Sequence, residues 1–304
     1  MQLIRGLHNL KNHAGSVVTI GNFDGVHIGH KKIIARLVEK AKELGLPSVL
    51  ISFAPTPQCF FGLEQATLSN FKEKHALLKQ LGLDEHLLIH FNQRFSQLEA
   101  SEFIQKILLD RLNIKHCLIG DDFRFGNERK GDFNLLKSLS KKHGFSVEDT
   151  KSILCNKDRA SSSKIRDFLK NGKMDLAAQM LGRDFSISGK IIHGEKKGRS
   201  INFPTINIPI RRKISPVLGV FAVEVLLDEK IHQGICNIGS RPTVGGVKIL
   251  LEVFLFNFSQ EVYGHHAKVV FKNKLREEVK FDSFEALKQQ IEKDEQTAKN
   301  YFNA

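Results

Sequence analysis

Two histidines three residues apart, His27 and His30, flank Gly29 in the stretch V-V-T-I-G-N-F-D-G-V-H-I-G-H-K-K at positions 17–32. On a helical turn that spacing points both imidazoles to one side. A glycine between them lets a ligand approach the backbone closely. The chemistry such a pair suits is the handling of a phosphate, and the flanking pattern agrees. Val17 to Ile20 is an apolar run that predicts a buried strand, a glycine turn follows, and Ile33, Ile34, Leu37, Val38 and Ala41 recur at helical spacing. Strand, turn and helix in that order set backbone N–H groups and a positive helix end at the carboxyl edge of a sheet, where an anion is stabilised. Taken alone, the same turn is also an ordinary surface connection with two solvent-facing histidines.

The elements that must hold this turn follow along the first half. Residues 47–53 and 86–91 predict further buried strands, and 116–119 a fourth that runs into G-D-D-F-R-F-G at 120–126. Helices are predicted over 68–81, 100–112 and 133–143, and a strand near 146–150. Strands alternating with helices imply right-handed crossovers and a parallel sheet covered on both faces. Ligands of such sheets sit at the carboxyl ends of strands, where the loops at 21–30, 54–58 and 120–126 fall. The run S-S-S-K-I-R at 161–166 leads into a helix and, by residue type, is a serine N-cap.

A short helical segment at 174–181 ends at Gly182, the predicted domain boundary, giving domains 1–182 and 183–304. Beyond it the period changes to two: Phe185, Ile187, Gly189 and Ile191 alternate, and 220–227, 234–238, 249–256 and 267–271 are rich in branched and aromatic residues. This predicts a small antiparallel barrel or sandwich closed by a terminal helix, capped by Asp282 or Ser283, with Phe284, Leu287 and Ile291 inward. Three stretches there carry polar groups that could be functional or merely local. H-G-E-K-K-G-R at 193–199 is a basic hairpin loop, F-P-T-I-N-I at 203–208 a proline turn entering a strand, and Glu252 interrupts the apolar run I-L-L-E-V-F-L-F.

The chain has 304 residues, a length suited to two cores, with 41% hydrophobic and 26% charged residues. No apolar run approaches the roughly 18 residues of a membrane helix. The four cysteines are scattered and fit reduced thiols, and the N-terminus lacks a signal peptide's apolar core, so a cytoplasmic location is expected. A net charge of +13, spread in pairs rather than in a tail, fits small anionic ligands better than nucleic acid.

The string G-x-F-D-G-V-H-x-G-H resembles the signature of nucleotidyltransferases with a His-x-Gly-His motif, and within them the bacterial bifunctional riboflavin kinase/FMN adenylyltransferase family, or FAD synthetases. The resemblance runs over about residues 15–303. It implies a Rossmann-like parallel-sheet (α/β) nucleotidyltransferase domain followed by a small antiparallel β-barrel domain with a C-terminal helix. It implies a function too: riboflavin phosphorylated to FMN, then FMN adenylylated to FAD, with ATP and Mg2+ used twice. On this reading His27, His30 and Arg166 act in adenylyl transfer, and Gly21, Phe23, Asp24, Gly29, Asp122, Phe123, Ser162 and Ser163 contact nucleotide or flavin. In the second half Glu252 is the general base, Thr205 and Asn207 hold Mg2+, and Gly189, His193, Gly194, Lys197, Gly198, Arg199 and Arg276 bind nucleotide or flavin.

Departures from the family pattern are Asn202 where Gly is usual, Ile206 where Ala is usual, Phe254 and Asn257 in place of His and Asp, and Thr56 in place of His. None removes a residue given a catalytic role, but Asn202 and Ile206 adjoin the Mg2+ element. Expected partners are the small substrates, with no nucleic acid, no membrane, and a monomer or weak homo-oligomer. Two rivals remain at this stage: a transferase whose barrel only binds flavin, and a basic RNA-binding protein with a nucleotidyltransferase-like fold, which steep salt dependence would reveal.

Overall fold

The computed structural model describes residues 1–120, 123–150, 154–155, 158–193, 203–210, 212, 214–243 and 246–303, with the backbone alone at 154–155, 158–159, 240–243 and 246–248. Two compact units divide the chain. The first is Met1–Gln65 with Phe71–Ser161, the second Ala66–Asn70 with Ser162–Ala304.

The first unit is a parallel sheet of six strands: β1 (Gln2–Arg5), β2 (Ser16–Ile20), β3 (Ser48–Ala54), β4 (Glu85–His90), β5 (Ile114–Gly120) and β6 (Ser146–Thr150). Their spatial order is β1-β4-β3-β2-β5-β6. The chain builds outward from β2 through β3 and β4, then returns to the far side of β2 for β5. The strand order therefore reverses between β2 and β5, the place where open α/β sheets bind ligands. Helices α1 (Ile28–Leu44), α2 (Pro57–Phe60), α3 (Phe71–Gln80), α4 (Gln93–Ser96), α5 (Ala100–Phe103) and α6 (Phe133–His143) connect the strands.

Each face of the sheet has its own core. Ile34, Leu37 and Ala41 of α1 and Leu78 of α3 pack on Val17 and Leu50. On the other face Phe103, Ile107, Leu108 and Leu136 cover Val18, Val49 and Ile119. The strands are buried on both sides, which is why β2 reads as continuous apolar sequence rather than alternation. Two features differ from the sequence reading. Gln2–Arg5 is a strand, though only Leu3 and Ile4 are apolar there, because it pairs in register with the edge of β4. The predicted helix at 100–112 is one α turn followed by a π-helix at Ile104–Leu109, which widens the turn while keeping Ile104, Ile107 and Leu108 inward.

A two-stranded ribbon, β7 (Leu154–Cys155) with β8 (Asp158–Arg159), ends the first unit. The second opens with α7 (Ser162–Lys170) and α8 (Met174–Leu181), and holds Ala66–Asn70 through Arg166 Nε to the Ala66 carbonyl (2.5 Å) and an Arg212 guanidinium N–H to the Thr67 carbonyl (3.0 Å). Six antiparallel strands follow: β9 (Ser186–Lys190), β10 (Thr205–Ile210), β11 (Gly219–Leu227), β12 (Lys230–Thr243), β13 (Gly246–Leu255) and β14 (His266–Arg276), ordered β10-β13-β12-β11-β14-β9. The two end strands approach each other, with the Ile192 N–H donating to the Asn207 carbonyl at 2.8 Å, so the sheet nearly closes into a barrel. Gly189 permits this closure, since an added Cβ would stand 2.5 Å from Ile208 Cγ2.

Phe221 and Phe271 meet edge-to-face inside the barrel at 5.3 Å. On the opposite face Ala222, Ile235 and Phe254 pack under α9 (Phe284–Asn303) through Ile291, Ala298 and Phe302. Ser283 caps that helix, its Oγ accepting from the Ala286 N–H at 3.1 Å. Phe284 is not inward as expected: it is 62% exposed, because the first turn of α9 overhangs a cavity instead of the core.

Candidate active sites

In the first unit the turn after β2 lies at the reversal point of the sheet, and its backbone is unusual. Phe23 (φ 49°), Gly25 (φ 76°) and Val26 (φ 42°) are all left-handed. Only glycine adopts that conformation freely, and a β-branched valine there carries strain of the order of 1–3 kcal/mol. The strained turn delivers His27 as the N-cap of α1, its Nδ1 accepting from the His30 N–H at 3.3 Å. The two imidazoles stack with centroids 3.6 Å apart and 17° between planes, and Phe23 stands 4.8 Å from His30. Accepting at Nδ1 makes Nε2 the protonated nitrogen of a neutral His27. Burial, then the neighbouring His27 and Lys74, hold His30 well below the usual histidine pKa, so it is neutral at pH 7. Its Nδ1 is buried without a hydrogen-bond partner. Gly29 is close against this pair: a Cβ there would meet the His27 ring at 3.0 and 3.1 Å. Gly21 lies against the Phe23 ring, and Asp24 faces Lys74.

Beside this turn, past the ends of β3, β4 and β5, is a cavity of about 410 Å³ walled by Phe53, Phe61, Phe91, Phe95, Phe123 and Phe125. Phe123 and Phe125 stack at 5.5 Å, and Phe61 is 63% exposed at the rim. Of these rings only Phe123 was assigned from sequence. The signal for the others was the clustering of phenylalanine after three strand ends, which apolar periodicity does not separate from core. Asp122 lies outside the described residues, as do Gly194, Lys197, Gly198 and Arg199. Ser162 and Ser163 open α7, and Arg166 is one turn further along it.

In the second unit the cross-strand register assembles what the sequence scatters. Asn207 of β10 lies opposite Glu252 of β13, which lies opposite Asn237 of β12, then Val220 of β11, then Arg276 of β14. Directly opposed residues project to the same face, so these five form one row across five strands. A β-bulge at Leu275 brings Arg276 into line, since Phe221 pairs with Lys274. Glu252, Asn237, Val220 and Arg276 line a cavity of about 250 Å³ together with Thr205 and Phe254 from the sheet, Phe203 from the segment before β10, and Leu287, Ile291 and Asp294 from α9. Half-buried Glu252 thus faces this cavity rather than an open sheet face.

Arg276 is held by α9: its Nε donates to both Asp294 oxygens at 3.0 Å and its terminal nitrogen to Oδ2 at 2.8 Å, while Phe281 packs 5.6 Å from the guanidinium. Asp294, 5% exposed, went unnoticed in the sequence because nothing local marks it. His193 stacks on Tyr263 at 3.7 Å, and Thr205 also lines a neighbouring cavity of about 390 Å³ that reaches Tyr263. Thr205 and Asn207 alternate on one face of β10, and Asn207 Oδ1 is buried with no partner. A hydroxyl and an orphaned amide oxygen are hard donors of the kind Mg2+ takes, so these residues fit that ion. Among the described residues no cluster of three or more His, Cys, Asp or Glu side chains offers an alternative metal site.

The comparisons with known proteins divide the chain in the same sense. The FAD synthetase family matches residues 9–164 and the riboflavin kinase family residues 181–302. Relatives include the bifunctional riboflavin kinase/FMN adenylyltransferases of Haemophilus influenzae, 44% identical over 100% of both chains, and of Pseudomonas fluorescens, 45% identical over 97% of this chain and 96% of that one. A crystal structure described as a macrolide-efflux protein from Streptococcus pneumoniae matches with a TM-score of 0.84 at 28% identity, covering 99% of each chain. Among the described residues no helix is long and apolar enough to cross a membrane. With a strained phosphate-type turn in one unit, a carboxylate–amide row in the other, and full-length identity above 40%, the chain belongs to the family of bifunctional riboflavin kinase/FMN adenylyltransferases.

Proposed function

We propose that the chain makes FAD in two ATP-dependent steps, with residues 183–304 converting riboflavin to FMN and residues 1–182 converting FMN to FAD. The observation that carries this is the presence of two chemically different sites in one chain, each inside a stretch matched by the corresponding family.

In the kinase, Glu252 takes the proton from the ribityl 5′-hydroxyl as that oxygen attacks the γ-phosphorus of ATP, and ADP leaves. The cavity under α9 supports this role, since its apolar rings suit a flat flavin and Glu252 opens into it. Thr205 and Asn207 would hold Mg2+, which neutralises phosphate charge when bound. Asn237 and Asn207, on either side of Glu252, fix the polar row in which the hydroxyl is received. Thr205 lines both cavities of this unit, consistent with nucleotide in one and flavin in the other, His193 and Tyr263 lying on the nucleotide side. Gly194, Lys197, Gly198 and Arg199 remain assigned to phosphate by resemblance.

In the adenylyltransferase, the phosphate of FMN attacks the α-phosphorus of ATP, the bond to the β-phosphate oxygen breaks, and pyrophosphate leaves. Catalysis here is positioning and charge stabilisation. His27 donates from Nε2 and neutral His30 from one ring nitrogen to phosphoryl oxygens, and Ser162, Ser163 and Arg166 remain assigned to the departing pyrophosphate by resemblance. Gly21, Phe23, Asp24 and Gly29 shape the turn, and the phenylalanine cavity with Phe123 receives the isoalloxazine ring. Mg2+ on the ATP phosphates, a cytoplasmic location, and a monomer or weak homo-oligomer complete the reading.

The test is product analysis with riboflavin, ATP and Mg2+. His30→Ala should accumulate FMN without FAD. Glu252→Gln should make no FMN yet still convert added FMN to FAD. A His30→Ala protein forming FAD at the unmodified rate, or a Glu252→Gln protein forming FMN at that rate, removes the corresponding assignment.

A further inference from the structure

Lys74 is a lysine where the fold would accept a leucine. It lies on α3, one turn from Leu78 on the side packed against the sheet, and is 9% exposed. Its ammonium donates to the carbonyl of Asn22 at 3.0 Å, in the strained turn that precedes His27. Burial holds its pKa below the usual lysine value, and Asp24, from the same turn, opposes that shift and favours the protonated form. On its other sides it acts on two histidines, His30 of α1 and His86 of β4. His86 in turn bonds Ser52 Oγ at 2.7 Å and lies 3.5 Å, Nδ1 to Nδ1, from His75.

Burying an ammonium is costly, and an apolar side chain of the same length would serve stability as well or better. Such a charge is expected where a site uses it. Here it stands behind a turn whose residues Phe23, Gly25 and Val26 are all left-handed, a conformation that persists only when the surroundings hold it.

We propose that Lys74 is a positioning residue for adenylyl transfer: its buried ammonium clamps the turn at Asn22 and supplies fixed positive charge behind the stacked histidines. The inference rests on the assignment of His30 to phosphate. The clamp keeps the His27 N-cap and the start of α1 in register with a bound polyphosphate. Burial does most to keep His30 neutral, and His27 on its own helix and then the Lys74 charge act in the same direction. Every residue of this arrangement belongs to the first unit, so the kinase activity of the second serves as a control in the same molecule.

Full-length Lys74→Met and Lys74→Gln proteins decide the matter. FAD formation from FMN should fall in kcat by about tenfold or more in Lys74→Met, the scale of one charge-assisted hydrogen bond. FMN formation should stay unchanged. Lys74→Gln, which can still donate to Asn22, should recover part of that kcat. In both variants the NMR titration of the His30 ring should move to higher pH, since a neighbouring positive charge has gone.

An unmoved His30 titration, or Lys74→Met with unchanged kcat, overturns the proposal. A loss of kcat with His30 unmoved marks Lys74 as structural and equally defeats it. Should Lys74→Met not fold, the Lys74→Gln titration decides alone. His30→Ala measured alongside separates the two readings: if it is inactive and Lys74→Met is normal, only the Lys74 proposal fails. If His30→Ala is fully active, the adenylyl-transfer assignment fails first.

Discussion

Replacing Asp294 with alanine tests whether the carboxylate of α9 builds the kinase cavity or merely decorates it. Asp294 is 5% exposed and accepts from Arg276 Nε and a terminal Arg276 nitrogen at 2.8–3.0 Å, and from Gln290 at 2.9 Å. Removing one member of a buried ion pair typically costs about 3–5 kcal/mol, because the remaining charge is left without a partner. The Arg276 side chain is 21% exposed and recovers some hydration, so the lower end, about 3 kcal/mol, applies. For a unit of this size that lowers the midpoint of its thermal transition by roughly 6–12 °C. The double variant Arg276→Met with Asp294→Leu should regain much of the loss, since apolar replacement of the whole pair is often neutral.

Function should follow the helix. Leu287 and Ile291 of α9 wall the same cavity, so the KM for riboflavin should rise in Asp294→Ala while conversion of added FMN to FAD is unaffected. Calorimetry of the two transitions and steady-state assays of each reaction provide the readings. A midpoint unchanged within a degree, with an unchanged KM, would show that the apolar contacts of Ala298, Ile291 and Phe302 hold α9 unaided, and the reasoning would fall.

Gly29→Ala should cut FAD formation by roughly tenfold to a hundredfold, because its methyl would press on the His27 ring at 3.0–3.1 Å and displace a positioned donor, with FMN formation intact. Phe123→Ala should raise the KM for FMN in FAD formation by about twofold to tenfold, the scale of one lost aromatic stacking contact. Burial, with Lys74 and His75, lowers the His86 pKa to about 3. The unfolded chain binds a proton near pH 6.5 that the folded one refuses, so this contribution is full above about pH 6.5 and is lost as pH falls toward 3. Urea unfolding of the first unit should therefore weaken across that window less steeply in His86→Gln than in the unmodified chain, and equal slopes would refute it.

Much of the first unit was legible because its signals are local. The run 17–20, the glycine turn and the helical spacing after Gly29 require only neighbours in sequence, and α6 and β6 came out at their observed bounds. β1 was not legible, since four residues with two apolar side chains become a strand only through pairing with β4. The π-turn at 104–109 keeps the same inward positions as an α-helix, so periodicity does not reveal it. In the second unit the alternation announced strands, but not which residues face each other. That Glu252 lies between Asn207 and Asn237 is a fact of register, and that Arg276 is bound to Asp294 is a fact of where α9 docks. Phe284 shows the reverse error: an apolar residue at helical spacing that overhangs a cavity instead of joining the core.

The polar row across the barrel also limits how this chain can change length. Side chains alternate between faces with every residue, so inserting or deleting one residue inside β13 would swing Glu252 to the interior and bring Leu251 or Val253 outward. The same holds for Asn207 in β10 and Asn237 in β12. At Arg276 an added residue already exists, the bulge at Leu275, and removing it would reverse the guanidinium's direction. Gains and losses of sequence should therefore be confined to the connections between strands, and a homologue with an odd-length change within a strand should carry a compensating bulge beside it.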